Sequence, residues 1–192
     1  MNSHLVESNR FQARLSSALT FIAGLARLLP HPPNFTPVGS MSLYGGAKLP
    51  GWRAWLLPLA LMAATDAGLA IIYGYSFLRP NTPVIYAAFL INVLIGRTLL
   101  KKFSVARLGA ATLLCSTQFF LITNFAVWLG GDATLGLGNY PHTLAGLAAC
   151  YAAALPFFGT TLAGDALYTG LLFGLHALAV RARSTRTAAA TA

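Results

Sequence analysis

Charge is what this sequence has least of. Thirteen Lys and Arg with four Asp and Glu make up only 9 % of its 192 residues. An ordinary soluble domain carries about 25 %, because its surface must be solvated. This scarcity excludes a soluble enzyme, and the 56 % hydrophobic content excludes a disordered chain. Cysteine is nearly absent too: Cys115 and Cys150 fall in different halves of the apolar segments described below and read as two ordinary buried thiols. No metal-ligand spacing, phosphate-binding loop or nucleophile motif occurs, so neither a cofactor nor a metal is expected, and the chain does not read as an enzyme. The formal net charge of +9 raises the question of nucleic acid. A nucleic-acid surface sets its basic patch among polar residues, and such residues are missing, so no nucleic-acid partner is expected. With a mean hydropathy of +0.65, the solvent the chain is built for is a lipid bilayer.

What is present is a series of apolar runs. A spanning helix needs about 20 apolar residues. Leu15–Leu29 is the first run, opened by Arg10 and Arg14 and closed by Pro30-His31-Pro32-Pro33. Arg27 stands where a small-residue cleavage site would have to be, so the run reads as a helix and not as a cleaved signal peptide. Pro37–Leu49 is short and rich in Gly and Ser. Ala54–Phe77, Val84–Leu100 and Leu108–Leu129 follow, then a turn-rich stretch from Gly130 to His142. The run Thr143–Val180 is too long for one crossing at about 1.5 Å per residue. Pro156 divides it into a surface helix, Thr143–Leu155, and a span, Phe157–Val180.

Basic residues accumulate on cytoplasmic loops, and they orient these segments. With six spans and the N-terminus inside, Arg10, Arg14, Lys48, Arg53, Arg97, Lys101, Lys102, Arg107, Arg181, Arg183 and Arg186 lie inside, and only Arg27 and Arg79 outside. Removing Pro37–Leu49 from the count flips every later loop and puts the cluster Arg97–Arg107 outside. The expected fold is therefore all-α: a polytopic bundle of six transmembrane helices with both termini cytoplasmic. Residues 1–10 form a cytoplasmic segment, 11–181 one membrane domain, and 182–192 a disordered cytoplasmic tail.

Polar residues at membrane depth are costly and mark function by default. Asp66 and Asp165 both lie mid-span. Thr161, Asp165, Thr169, Leu172 and His176 share one helix face, and Thr117, Phe120, Asn124 and Trp128 make a second stripe. Hydroxyl residues in such stripes also serve as plain glue between helices. Three stretches converge near the outer face: Arg27 to Gly46, with its prolines, His31 and Asn34; Thr123 to Trp128 leading to Tyr140-Pro141-His142; and Leu155 to Asp165. That convergence describes a pocket opening outward. Its expected ligand residues are Arg27, His31, Asn34, Asn124, Trp128, His142, Thr160 and Asp165, with Asp66 as a further intramembrane polar residue. Arg27 would meet an anionic group, Trp128 would stack a ring, and Asn124 and Asp165 would read polar edges.

The segments RLLPHPPNFTPVGSMSLYGG, TNFAVWL, YPHTLAGLAACYAAALPFF and TLAGDALYTGLLFG resemble a family of small bacterial inner-membrane proteins, catalogued as a domain of unknown function or as transport proteins. The resemblance runs from about Ala23 to Gly174. That family is in turn distantly similar to the substrate-binding S subunits of energy-coupling-factor vitamin transporters. The similarity implies an S-subunit-like bundle that binds a vitamin-like or metal-like nutrient near the outer face and docks an energy-coupling module. The Ala-x-x-x-Ala motif through which such subunits dock is absent from Leu15–Leu29. The outer loop Gly74–Pro83 also lacks the cysteine of a solitary cobalamin-type carrier.

Uptake of a small-molecule substrate is the expectation this leads to. One alternative is an intramembrane enzyme with Asp66 and Asp165 as a proton-sharing dyad. The run Leu162-Ala163-Gly164-Asp165 lacks the first glycine of the Gly-x-Gly-Asp pattern such enzymes carry, and Asp66 follows Thr65 where they have Tyr. A ligand-free scaffold is the other alternative.

Overall fold

A computed structural model of the chain describes residues 2–130 and 140–191, with side chains from 6 to 130 and from 140 to 189. Among the described residues there are six helices and no strand: α1 (Asn2–Ala26), α2 (Val38–Lys48), α3 (Arg53–Tyr73), α4 (Thr82–Leu99), α5 (Val105–Gly130) and α6 (Leu144–Thr191). Local chemistry sets several boundaries. Gly74 ends α3 in the left-handed region at φ 69°, its N–H bonding the Ala70 carbonyl, a position glycine occupies without strain. Pro83 opens α4, where its missing N–H costs nothing.

Helices α3 to α6 are long and apolar enough to cross a membrane. They turn large apolar side chains outward: Ile71 is 84 % exposed and Leu144 85 %. Outward-facing side chains of this size suit lipid and not water. In α1 the apolar stretch begins only at Leu15, after a polar first half.

The centre of the bundle is α2. Every residue from Val38 to Gly46 is buried, and the helix touches each of the other five. Met41, Leu43 and Tyr44 fill the core together with Leu19, Leu61, Phe89, Cys115 and Phe173. Two glycines allow the closest approach. A Cβ on Gly46 would run into the Val93 carbonyl of α4, and one on Gly96 into the Leu43 carbonyl of α2. Backbone-to-backbone packing of this kind is how membrane helices gain dispersion contact.

Eleven residues of helix reach about 16 Å, roughly half of a bilayer's hydrocarbon core. The loop preceding α2 packs into the bundle beside it. Phe35 lies with its backbone against Gly164 of α6, and its ring meets Tyr168 at 5.8 Å. The chain thus turns back into the bundle before α2 begins. Irregular backbone at that depth is tolerated where it is enclosed by protein or lines a cavity. Asn34 makes the turn at φ 61°, a value that Asn adopts more readily than most residues.

Two expectations are corrected. Pro156 does not divide the last segment: α6 runs unbroken for 48 residues, about 72 Å at the usual rise. Packing against α5 keeps both sides of the proline in line, since Phe120 meets Tyr151 at 5.5 Å and Phe158 at 4.8 Å, and the Tyr151 hydroxyl donates to the Leu121 carbonyl at 2.7 Å. The tail expected to be disordered is helical as far as Thr191. There Arg183 bonds Glu7 of α1 at 2.8 Å and covers the ring of Phe11, so the start of the first helix and the end of the last lie together. The turn-rich stretch before α6 falls largely on 131–139, outside the described residues.

Candidate functional site

The polar face of α6 turns toward α2 and α5. Asp165 is 4 % exposed. Its Oδ2 accepts from the Ser116 hydroxyl at 2.7 Å. The Ser40 hydroxyl lies 2.9 Å from the Asp165 backbone carbonyl and 3.4 Å from Oδ1, while Thr169 donates to Ser40 at 3.1 Å. Gly39 makes room for this carboxylate, because a Cβ there would overlap it. Hydroxyls from α2 and α5 thus reach a charge that the bilayer disfavours. One turn further along α2, the Tyr44 hydroxyl bonds Nδ1 of His176 at 2.7 Å. The stripe read from α6 is therefore real, and Ser40 and Tyr44, four residues apart, are its complement.

The second aspartate has its own surroundings. Arg27, just beyond α1, pairs with Asp66 of α3 at 2.5 Å and also bonds the Thr65 hydroxyl at 3.0 Å and the Met62 carbonyl at 3.3 Å. Tyr86 of α4 donates to the other oxygen of Asp66 at 2.8 Å. Both members of the pair keep under a fifth of their side-chain surface exposed. Among the described residues, Asp66 and Asp165 have no partner in common.

Three cavities meet around Asn34 and Phe119, which line all of them. The first, about 360 Å³, is walled by Ile85, Phe120, Phe157 and Phe158 and carries Asn124, Thr123 and Thr161. The second, about 300 Å³, holds the Arg27–Asp66 pair, Tyr86 and Arg79. Arg79 lies 4.3 Å over the Tyr75 ring and has no carboxylate partner among the described residues. The third, about 50 Å³, has Asp165, Asn92, Thr36 and Thr161 in its wall. The space exists because α2 is short: above its first turn the bundle is filled by a loop instead of a helix. Together the chambers match the size of small-molecule sites, which are mostly apolar with a few directed polar groups.

The residues expected to form the site divide. Asn34, Asn124 and Asp165 line the chambers, as does Arg27, whose guanidinium is engaged by Asp66. Asn124 also bonds the Phe120 carbonyl of its own helix at 2.8 Å. His31 folds onto its own loop, its ring nitrogens 2.9 Å from the Pro32 carbonyl and 3.3 Å from the Arg27 carbonyl. Trp128 donates to the Pro141 carbonyl at 3.0 Å and meets the His142 ring edge-on, so this pair clasps the entry to α6. Thr160 bonds the Pro156 carbonyl, and its neighbour Thr161 is the residue facing the chambers.

Sequence reasoning missed Ser40, Ser116, Tyr86, Asn92 and Gln118. Asn92 is 1 % exposed, and its Oδ1 accepts from Gln118 Nε2 at 2.6 Å. Two amides inside apolar runs were the signal available. Among the described residues no group of His, Cys, Asp and Glu is arranged to hold a metal ion.

The chain belongs to a family of unknown function, DUF6580, which matches residues 7–189. No curated protein and no solved structure matches it.

Proposed function

We propose that this protein is a multi-pass protein of the bacterial inner membrane that binds, and carries inward, a small nutrient entering from the outer face. The observation that carries the reading is the group of chambers joined at Asn34 and Phe119, with aromatic walls, an ion pair on one side and a buried carboxylate on the other. Six crossings with both termini cytoplasmic fit the distribution of basic residues, and the pairing of Glu7 with Arg183 agrees with termini on one side. The plan is that of an S-subunit-like bundle, in which α2 and its inserted loop complete a crossing that the helix alone does not span.

In this reading the Arg27–Asp66 pair shapes the mouth, and Arg79, which has no carboxylate partner among the described residues, attracts an anionic group. Phe119, Phe120, Phe157 and Phe158 hold the body of the ligand, and Asn124 and Asp165 orient its polar parts. Concentrative uptake would draw its energy from a partner module or an ion gradient. The aspartates' separate partners give the dyad enzyme no support.

The test is radiolabelled uptake into proteoliposomes across a panel of vitamins and related metabolites, with native mass spectrometry of the detergent-purified protein to find a co-purified molecule. Uptake or retention of one panel member, lost in Asp165→Ala and in the chamber-filling Val84→Trp, supports the reading. Absence of any bound or transported molecule, with both variants silent in the organism, overturns it.

A further inference from the structure

The second chamber holds a cation that the fold positions and does not neutralise. Arg79 is only partly exposed, and its guanidinium carbon lies 4.3 Å from the centre of the Tyr75 ring. Its backbone is tied to α4 twice. Arg79 N–H donates to the Thr82 hydroxyl at 2.9 Å, and the Arg79 carbonyl accepts from Thr82 N–H at 2.9 Å. Pro80 stiffens the turn between them. Arg79 is thus fixed just before the first turn of α4, where the helix dipole adds positive potential. The other charges in this wall, Arg27 and Asp66, cancel in their ion pair. One positive charge is left over. The aromatic chamber next door has no charged residue in its wall. The two spaces adjoin, since Asn34, Ile85 and Phe119 line both.

Resting on the proposed binding function, we infer that the ligand is an amphipathic monocarboxylate, one acid group on an apolar, ring-bearing body. The carboxylate pairs with Arg79 in the second chamber, and the body passes Ile85 and Phe119 into the aromatic one. At about 300 and 360 Å³ the two spaces have the dimensions of a small-molecule site. The charge count selects among ligand classes. An ammonium group would meet a wall that is already positive. A second carboxylate would find Arg27 engaged and Asp66 repelling it. A neutral ligand forgoes the charge-assisted hydrogen bonds that a guanidinium makes to a carboxylate. A ligand polar along its whole length, such as a sugar, would set unpaired hydroxyls against Phe120, Phe157 and Phe158.

The experiment is equilibrium dialysis of the full chain in nanodiscs of zwitterionic lipid, with empty nanodiscs as the blank. It is run at about pH 7.5, where carboxylic acids are ionised. Four probes share one skeleton: 4-phenylbutyrate, its neutral amide, 4-phenylbutylamine, and benzylsuccinate, which adds a second carboxylate to the first. The monocarboxylate is expected to bind at least about tenfold more tightly than the amide, and the amine to bind weakest. Arg79→Gln, a change in a partly exposed turn, is expected to erase that preference and leave amide binding unchanged. Arg79→Lys, which keeps the charge, is expected to retain part of it. Equal binding of acid and amide, weakened for both by Val84→Trp in the aromatic chamber, overturns the anionic ligand and leaves the binding function standing. A preference for the acid that survives Arg79→Gln also overturns it. Benzylsuccinate binding as tightly as 4-phenylbutyrate overturns the single charge. Binding by none of the four, or binding that Val84→Trp does not weaken, overturns both.

Discussion

Replacing Gly46 by alanine puts the simplest demand on this bundle. The new methyl would lie far inside the roughly 3.3 Å at which carbon and a carbonyl oxygen meet, and the atom it meets is the Val93 backbone. No side chain can swing away, so α2 and α4 must part by on the order of 1 Å. Overpacking of this sort costs about 1–3 kcal/mol, and contact between two backbones puts it at the upper end. Alanine's better helix propensity returns about 1 kcal/mol, leaving a net loss of about 2 kcal/mol. For a chain of this length that is a fall of roughly 4–8 °C in melting temperature. Gly96→Ala, the reciprocal contact with the Leu43 carbonyl, is expected to match it. Gly68 and Gly170 are the controls, because a Cβ at either meets nothing within 4 Å; alanine there is expected to be neutral or to raise stability by up to about 1 kcal/mol. Both cysteines are free and buried, so a thiol-reactive fluorophore reports unfolding directly. If Gly46→Ala melts with Gly68→Ala, the close α2–α4 approach is wrong.

Other consequences follow from the same contacts. Arg27→Ala and Asp66→Ala each strand a half-enclosed charge and are expected to cost about 2–3 kcal/mol, near the low end for a broken buried pair; the double variant should melt closer to wild type than either single one, and additive losses would refute the coupling. Gly39→Ala displaces the Asp165 carboxylate from Ser40 and Ser116 and is expected to destabilise by about 2 kcal/mol or more, where an open helical glycine would not. Tyr44→Phe leaves His176 Nδ1 without its hydroxyl partner and is expected to cost about 1–2 kcal/mol in thermal melts. In folded protein, Cys115, which is 1 % exposed, is expected to resist maleimide until the melting transition.

The helices most legible in the sequence were those whose apolar runs are bounded by turn chemistry. The run Val84–Leu100 differs from α4 by two residues at its start and one at its end, and Pro37–Leu49 encloses α2 within one residue at each end. The polar face of α6 followed from helical spacing. Pro156 misled because local propensity was overridden by α5. Partners were hidden wherever they depend on which helices adjoin: Arg27 meets Asp66 only because the end of α1 lies beside α3, and Asn92 meets Gln118 only across α4 and α5. The choice between Thr160 and Thr161 turns on about 100° of helix rotation, which apolar periodicity does not resolve to one residue.

The burial of α2 on every side also bears on how the chain is made. Ser40 and Asp165 are 125 residues apart, and Tyr44 and His176 are 132. At about 5–20 residues per second, a ribosome takes roughly 6–25 s after emitting the second helix to emit the groups that satisfy it. In that interval an eleven-residue helix carrying two serines and a tyrosine has neither the length nor the apolarity to remain alone in lipid. Chains stopped before Leu144 should therefore leave residues 38–48 open to added protease or to a thiol probe placed at Ser40, while full-length chains protect them. The middle of this molecule is made second and seated last.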